Sequence, residues 1–446
     1  MTKVALNICL IFIPFIGFTQ NYSTSNAEMT NLFNTAISKY EARDFYGAVT
    51  TYEQYFNLNK ENAKAYYNCG NARLNIKDLE KAIIDYDKAI AIDDKFAKAY
   101  QKRGYANQLL NKNEAALADY HKAIELDNSN AEAHFLVGNL LEQSNNTEAA
   151  LSEYNAALIY KSDFPQAYFN RGNIKTKNGD ITGAIADYTQ ALIINSNYGN
   201  AYHGRAMAFY QNKEFIKAVA DFSKSIEMKI NLEKSYLFRG NSKMELKDYR
   251  GAIADYDKVL EIDPSNVSAI NNRGICKTNI GEFDNSSNDF DKILEISPDD
   301  LDAILNKAQT DYKRENYESA IVYYTRALKT DKKNITAYMY RALCYAKIDK
   351  NNKALNDIED AEKINPKDAE VLQIKGKIEL NLKEYNKSIK SLSKSIELNP
   401  KLGGAYYYRA HAYFSTKQDN LGCSDLSKAG ELGIEDAYIA IQNKCH

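Results

Sequence analysis

The chain has no tryptophan, six prolines, twenty glycines and six cysteines among 446 residues. So little proline and glycine excludes long disordered linkers and a turn-rich all-β architecture. Basic and acidic residues nearly cancel, 57 against 59, so the basic excess of a nucleic-acid binder is missing. The one long apolar run, residues 4–18, is broken only by Asn7 and falls short of the roughly 20 residues that span a bilayer. It follows Lys3 and leads to the small residues Gly17 and Thr19, the pattern of a cleavable signal peptide over 1–19. An uncleaved anchor is the alternative. Cleavage implies an exported protein, periplasmic or extracellular, with a short linker at 20–28 and no integral membrane span in the mature chain. No phosphate loop, dinucleotide fingerprint or Ser/His/Asp motif occurs, and none of His121, His134, His203, His411 and His446 has ligands at metal spacing. Neither catalysis, a cofactor nor a metal is therefore expected. What abounds instead is tyrosine, 34 residues of it.

That abundance is periodic. Arg-Gly recurs at Arg103-Gly104, Arg171-Gly172, Arg239-Gly240 and Arg273-Gly274, and these glycines differ by multiples of 34. Steps of 34 from Ala36 to Ala410 meet seven glycines and five alanines and nothing else. A second small column runs from Ala48 and Ala82 to Ser388 and Gly422. An aromatic column follows: Tyr52, Tyr86, Tyr120, Tyr154, Tyr188, Phe222, Tyr256, Phe290 and Tyr324, lapsing to Ile358, Leu392 and Leu426. Slots counted from residue 29 place these columns at 8, 20 and 24, and twelve units fill 29–436 without insertion or deletion.

Each unit reads as two helices. In 167–177 and 181–195, apolar and small residues recur at three- and four-residue spacing, as on one helical face. Between them Gly179 can take the left-handed conformation that ends a helix, and Asp180, like Asp44, Asp78 and Asp248, can cap the next one. Pro165, Pro264, Pro298, Pro366 and Pro400 all fall at unit junctions, where proline is tolerated. A unit this short cannot bury its own apolar face, so neighbours must stack. After the last unit, Ala437, Ile441 and Cys445 share a helical face, which predicts a capping helix over 437–446.

The unit Ala167-Tyr168-Phe169-Asn170-Arg171-Gly172, followed by Gly183-Ala184-Ile185-Ala186-Asp187-Tyr188 and Ala191-Leu192, resembles the tetratricopeptide repeat family over 29–436. The resemblance implies an all-α, right-handed α-solenoid of helix-turn-helix pairs with a concave groove. The family's tryptophan column is tyrosine here at Tyr66, Tyr100, Tyr168, Tyr202, Tyr236, Tyr338 and Tyr406, so the tyrosine excess is structural. The ending, with Cys423 and Cys445, also resembles the closing segment of exported repeat proteins from Bacteroidetes-type bacteria.

Slot 7, apolar in most of the family, carries Arg103, Arg171, Arg205, Arg239, Arg273, Arg341 and Arg409, and slot 23 of those same units is always aspartate. This pairing predicts ion pairs between the helices of a unit, such as Arg171–Asp187, Arg205–Asp221 and Arg239–Asp255, serving structure rather than ligand binding. The family's geometry would line the groove with Phe33, Tyr67, Phe135 and Phe169 and with Asn68, Asn71, Asn139, Asn170, Asn173 and Asn241. Asparagine both donates and accepts, so it can hold an extended peptide, and aromatics add apolar contact. Asn68, Lys98 and Lys102 match three places of the family's carboxylate clamp, but Phe33 and Ile37 occupy the other two. Cys423 and Cys445 can meet as a disulfide in an oxidising compartment, or stay buried thiols. The expected function is a non-catalytic scaffold that holds a protein or peptide partner in its groove, in the cell envelope. A glycan-binding module using the same aromatics and asparagines is the alternative, and an accessory regulator docking a separate enzyme is a third reading.

Overall fold

A computed structural model describes residues 17–445, and most of the expected signal peptide lies outside them. The described residues form 25 helices and no strand, an all-α helical-repeat solenoid. None of these helices is long and apolar enough to cross a membrane. The chain divides into two compact units, 1–208 and 209–446.

In the first unit, the first helices of successive repeats begin at Ala63, Ala97, Ala131, Pro165 and Gly199, 34 residues apart. The earliest helix, Gly17–Glu41, runs through 20–28 into the first repeat, so the stretch expected as a linker is helical. No proline or glycine lies between Gly17 and Gly47 to stop it. In the second unit first helices begin at Leu232, Val267, Leu301, Ile335, Ala369 and Gly403. Leu232 is one position early because Asn231 turns left-handed, at φ 44°. Ser225 and Ser235 both donate to the Ile230 carbonyl there, at 3.0 and 3.1 Å, and so fix the altered junction. The final helix, Glu435–Lys444, buries Ala437 and lays Ile441 and Cys445 against Leu426 and Ala429.

The slot-24 aromatics are the core of each hairpin. Tyr86, Tyr120, Tyr154, Tyr256 and Phe290 are wholly buried. They fit because slot 8 is small: a methyl group added at Gly70 would sit 2.7 Å from the Tyr86 ring. The turn inside every hairpin places slot 15 in the left-handed region. Gly179 and Gly281 do so without strain, but Arg43, Lys77, Asn111, Asn145, Lys213, Lys247, Glu315, Asp349, Lys383 and Lys417 do the same with side chains. Asp44, Asp180 and Asp248 cap the next helix at 2.9–3.0 Å. Asp78 makes no such bond and pairs with Lys81 instead. Asparagine and aspartate just before the first helices, at Asn62, Asn130, Asn266, Asp300, Asn334 and Asp368, cap those in turn.

Candidate functional site

The face that offers itself to a ligand is held in place by the slot-7 arginines. Arg171 donates from Nε and Nη2 to the two oxygens of Asp187, at 2.8 and 2.6 Å. Its Nη1 turns back to Asn155 of the preceding repeat, at 2.7 Å. Its guanidinium lies 5.4 Å from the Tyr168 ring centre, a cation–π contact. Arg239 repeats the set with Asp255, Ser223 and Tyr236. Arg341 and Arg409 do likewise, with Thr325 and Ser393 behind them. Each arginine thus ties three helices, where the sequence pattern pointed only to two. Lys175 and Lys243 add a second cation to Asp187 and Asp255, both at 2.8 Å. Arg205 and Asp221 belong one to each unit: Arg205 stacks on Tyr202 and donates to Thr189 at 3.2 Å, and Asp221 is buried.

Where slot 7 is not arginine the junction is rebuilt. Asp85, opposite Cys69, has Arg73 Nε 3.2 Å away, at an angle short of a hydrogen bond. Burial pushes the Asp85 carboxyl and the Cys69 thiol up from their ordinary values. Opposite Val137, Glu153 pairs with His134 Nδ1 at 2.7 Å, a role for that histidine which spacing did not disclose. Lys307 turns to Asp291 and the Tyr323 ring.

The groove residues are more involved with the fold than their types suggested. Phe33 packs between Tyr52 and Tyr55, and Tyr67 between Tyr86 and Phe96. Phe135 lies against Tyr154 and Phe164, and Phe169 against Tyr188 and Tyr198. All four rings are half-buried. The asparagines form an internal ladder: Asn71, Asn139, Asn173 and Asn241 each accept from the slot-24 tyrosine of their own repeat, at 2.8–2.9 Å. Asn170 then donates to Asn139 across the repeat junction at 2.8 Å. These bonds occupy the Oδ1 atoms and orient each amide.

Two clefts open on this face in the first unit. One of about 360 Å³ is lined by Ile37, Tyr40, Glu41, Tyr52, Lys64, Asn68 and Asn71. The other, about 530 Å³, shares Lys64 and Asn68 and adds Tyr67, Phe96 and Lys98, with Glu61 and Asp93 at its border. Lys102 is half-buried and is not among the lining residues. The three clamp-like residues therefore do not share one cleft, and acids balance the lysines that do. At the far end of the chain Cys423 and Cys445 form a disulfide, with Cα atoms 5.7 Å apart, while Cys69, Cys276 and Cys344 are buried thiols. No group of three His, Cys, Asp or Glu side chains converges for a metal among the described residues.

Comparison with known families assigns the repeat. Models of the tetratricopeptide repeat match residues 33–96 and 165–198, and a TPR repeat model matches 109–144 and 240–276. A model of subunit 3 of the anaphase-promoting complex, or cyclosome, matches 313–395. No curated protein matches. Among solved structures, yeast Tom70 is 16% identical with a TM-score of 0.43, covering 93% of this chain and 94% of its own. YrrB, described as a TPR protein with an unusual peptide-binding site, is 21% identical, with a TM-score of 0.39 over 41% of this chain and 95% of its own. The C-terminal part of a TPR repeat-containing protein from Cytophaga hutchinsonii is 16% identical, with a TM-score of 0.45 over 54% of this chain and 98% of its own. At those values the assignment rests on the family models and on the 34-residue helix register.

Proposed function

We propose that this tetratricopeptide-repeat protein is a non-catalytic scaffold of the cell envelope that holds a segment of a partner protein along its asparagine-bearing face. The observation that carries the reading is the pair of clefts sharing Lys64 and Asn68. They combine apolar walls with amide and charged groups, beside helices tied by Asn71 to Tyr86 and by Arg103 to Asp87 and Asp119, the composition of a preformed recognition groove. A protein ligand is favoured over a glycan because sugar stacking needs open aromatic faces. Phe33, Tyr67, Phe135 and Phe169 instead pack against core tyrosines. Placement in the envelope draws on the signal-like pattern at 1–19 and the Bacteroidetes-like ending. The Cys423–Cys445 bond also supports it, since such bonds persist in oxidising compartments.

The test is capture from an envelope extract by the wild type and by an Asn68→Ala, Lys98→Glu variant of unchanged melting. The reading expects material that is removed by protease, survives glycosidase and is lost in the variant. Equal capture by both proteins, or captured material removed only by glycosidase, would overturn it.

A further inference from the structure

The junction of the first two repeats differs at one polar position from two later junctions. Between repeats 4 and 5, Asn139 Oδ1 accepts from the Tyr154 hydroxyl and from Asn170 Nδ2, both at 2.8 Å. Between repeats 7 and 8, Asn241 Oδ1 accepts from Tyr256 at 2.8 Å and from Asn272 Nδ2 at 3.0 Å. At both junctions one amide oxygen receives two donors. The junction of repeats 1 and 2 keeps both donors in the same slots, as Tyr52 and Asn68, but the acceptor slot holds Ile37.

The result is an orphan. Tyr52 is 1% exposed, and its hydroxyl has no hydrogen-bond partner. The other slot-24 tyrosines are satisfied: Tyr86 by Asn71, Tyr120 by Gln108, Tyr188 by Asn173 and Tyr324 by Gln309. Burial pushes the Tyr52 pKa up to about 12, and the Asn68 amide beside the hydroxyl tempers the shift. The hydroxyl is therefore a standing donor at neutral pH.

Tyr52 and Asn68 both line the 360 Å³ cleft, together with Ile37 and Tyr40. Its charges are one of each sign, Lys64 and Glu41. The adjoining cleft sets Lys64 and Lys98 against Glu61 and Asp93. Neither sign prevails, so the site suits a neutral polar group better than a carboxylate, phosphate or ammonium.

We propose that this cleft takes a backbone carbonyl of an extended segment of a partner protein, which supplies the amide oxygen that Asn139 and Asn241 supply at the two later junctions. Tyr52 and Asn68 donate to that oxygen, and an apolar side chain of the segment lies against Ile37 and Tyr40. A peptide carbonyl is the same chemical group as the asparagine side-chain carbonyl, with two lone pairs for two donors. This inference rests on the protein-binding reading above and assigns its anchoring point.

The test is an NMR titration of the full chain with the capped neutral peptide Ac-Ala-Leu-Ala-Leu-Ala-NH2, following the Asn68 side-chain amide, with N-acetylglucosamine run in parallel. Tyr52→Phe deletes only the hydroxyl, and Ile37→Asn installs the missing acceptor. The wild type is expected to bind the peptide, Tyr52→Phe about tenfold more weakly, the scale of one lost hydrogen bond. Ile37→Asn is expected to lose the shift and melt higher, because its own amide engages both donors. If Ile37→Asn does not fold, Tyr52→Phe decides alone. Peptide binding undiminished in these variants, or no peptide-dependent shift at Asn68, overturns the assignment and leaves the protein-binding reading standing. A response to the sugar and none to the peptide overturns both.

Discussion

Arg239 grips Asp255 through two nearly parallel bonds, Nε at 2.9 Å and Nη2 at 2.6 Å, across the two helices of one repeat. Asp255 is almost wholly buried, so the pair's value lies in its completeness. Arg239→Ala is expected to destabilise the second unit by about 1–3 kcal/mol, because the buried Asp255 carboxylate loses its fork and keeps only Lys243 as a cation. Arg239→Lys is expected to rescue it only in part, because an ammonium cannot make the fork. Arg239→Met with Asp255→Leu should recover most of the loss. Urea melts of the three variants check this, and a double variant no better than Arg239→Ala would contradict it.

Glu379 is 3% exposed, one of its oxygens has no partner, and burial holds its pKa above its ordinary value of 4.5. The folded state then binds its proton more tightly than the unfolded state. This group's contribution is favourable below pH 4.5 and is lost as pH rises through the raised value. Glu379→Gln is expected to melt higher than wild type at pH 7.5, with the gap closing toward pH 4. Equal melting of the two proteins at both pH values would contradict the assignment.

Glu315 holds a left-handed turn, at φ 63°, that costs a side chain roughly 1–2 kcal/mol and glycine nearly nothing. Glu315→Gly is expected to raise stability by about 0.5–1 kcal/mol after the added flexibility of the unfolded chain is subtracted. Calorimetry of the variant checks the sign.

The Cys423–Cys445 bond closes a 22-residue separation and pins the final helix to the last repeat. Reduction is expected to speed amide exchange through Glu435–Lys444 by a factor corresponding to about 2–4 kcal/mol, with little change in the preceding repeats. Hydrogen exchange with and without reductant reads this directly. Uniform exchange in both states would mean the helix is held by Ala437 and Ile441 packing alone.

The architecture was legible because a strict 34-residue period leaves few alternatives once its small and aromatic columns align. The Arg–Asp partnership was legible because both members vary together within the chain. Other features left no such mark. The Nη1 bond of the slot-7 arginines lands on Asp87, Asn155, Thr189, Ser223, Asp257, Thr325 or Ser393, which share acceptor chemistry but not residue type. The left-handed slot is filled mostly by lysine and asparagine, and only Gly179 and Gly281 betray it. The groove asparagines read as free ligand contacts because nothing in their spacing showed that slot 9 meets the slot-24 tyrosine. Ile37 acquires meaning only beside the junctions where asparagine takes its place.

The most direct measurement is a photo-crosslink. A photoreactive phenylalanine analogue would replace Lys98, in the cleft, or Ile84, which is half-exposed and lines neither cleft. The account predicts a single protein adduct from Lys98, none from Ile84, and competition by the captured segment made as a synthetic peptide. Adducts from Ile84 alone, or equal adducts from both positions, would contradict groove binding and move the interaction to the outer helices.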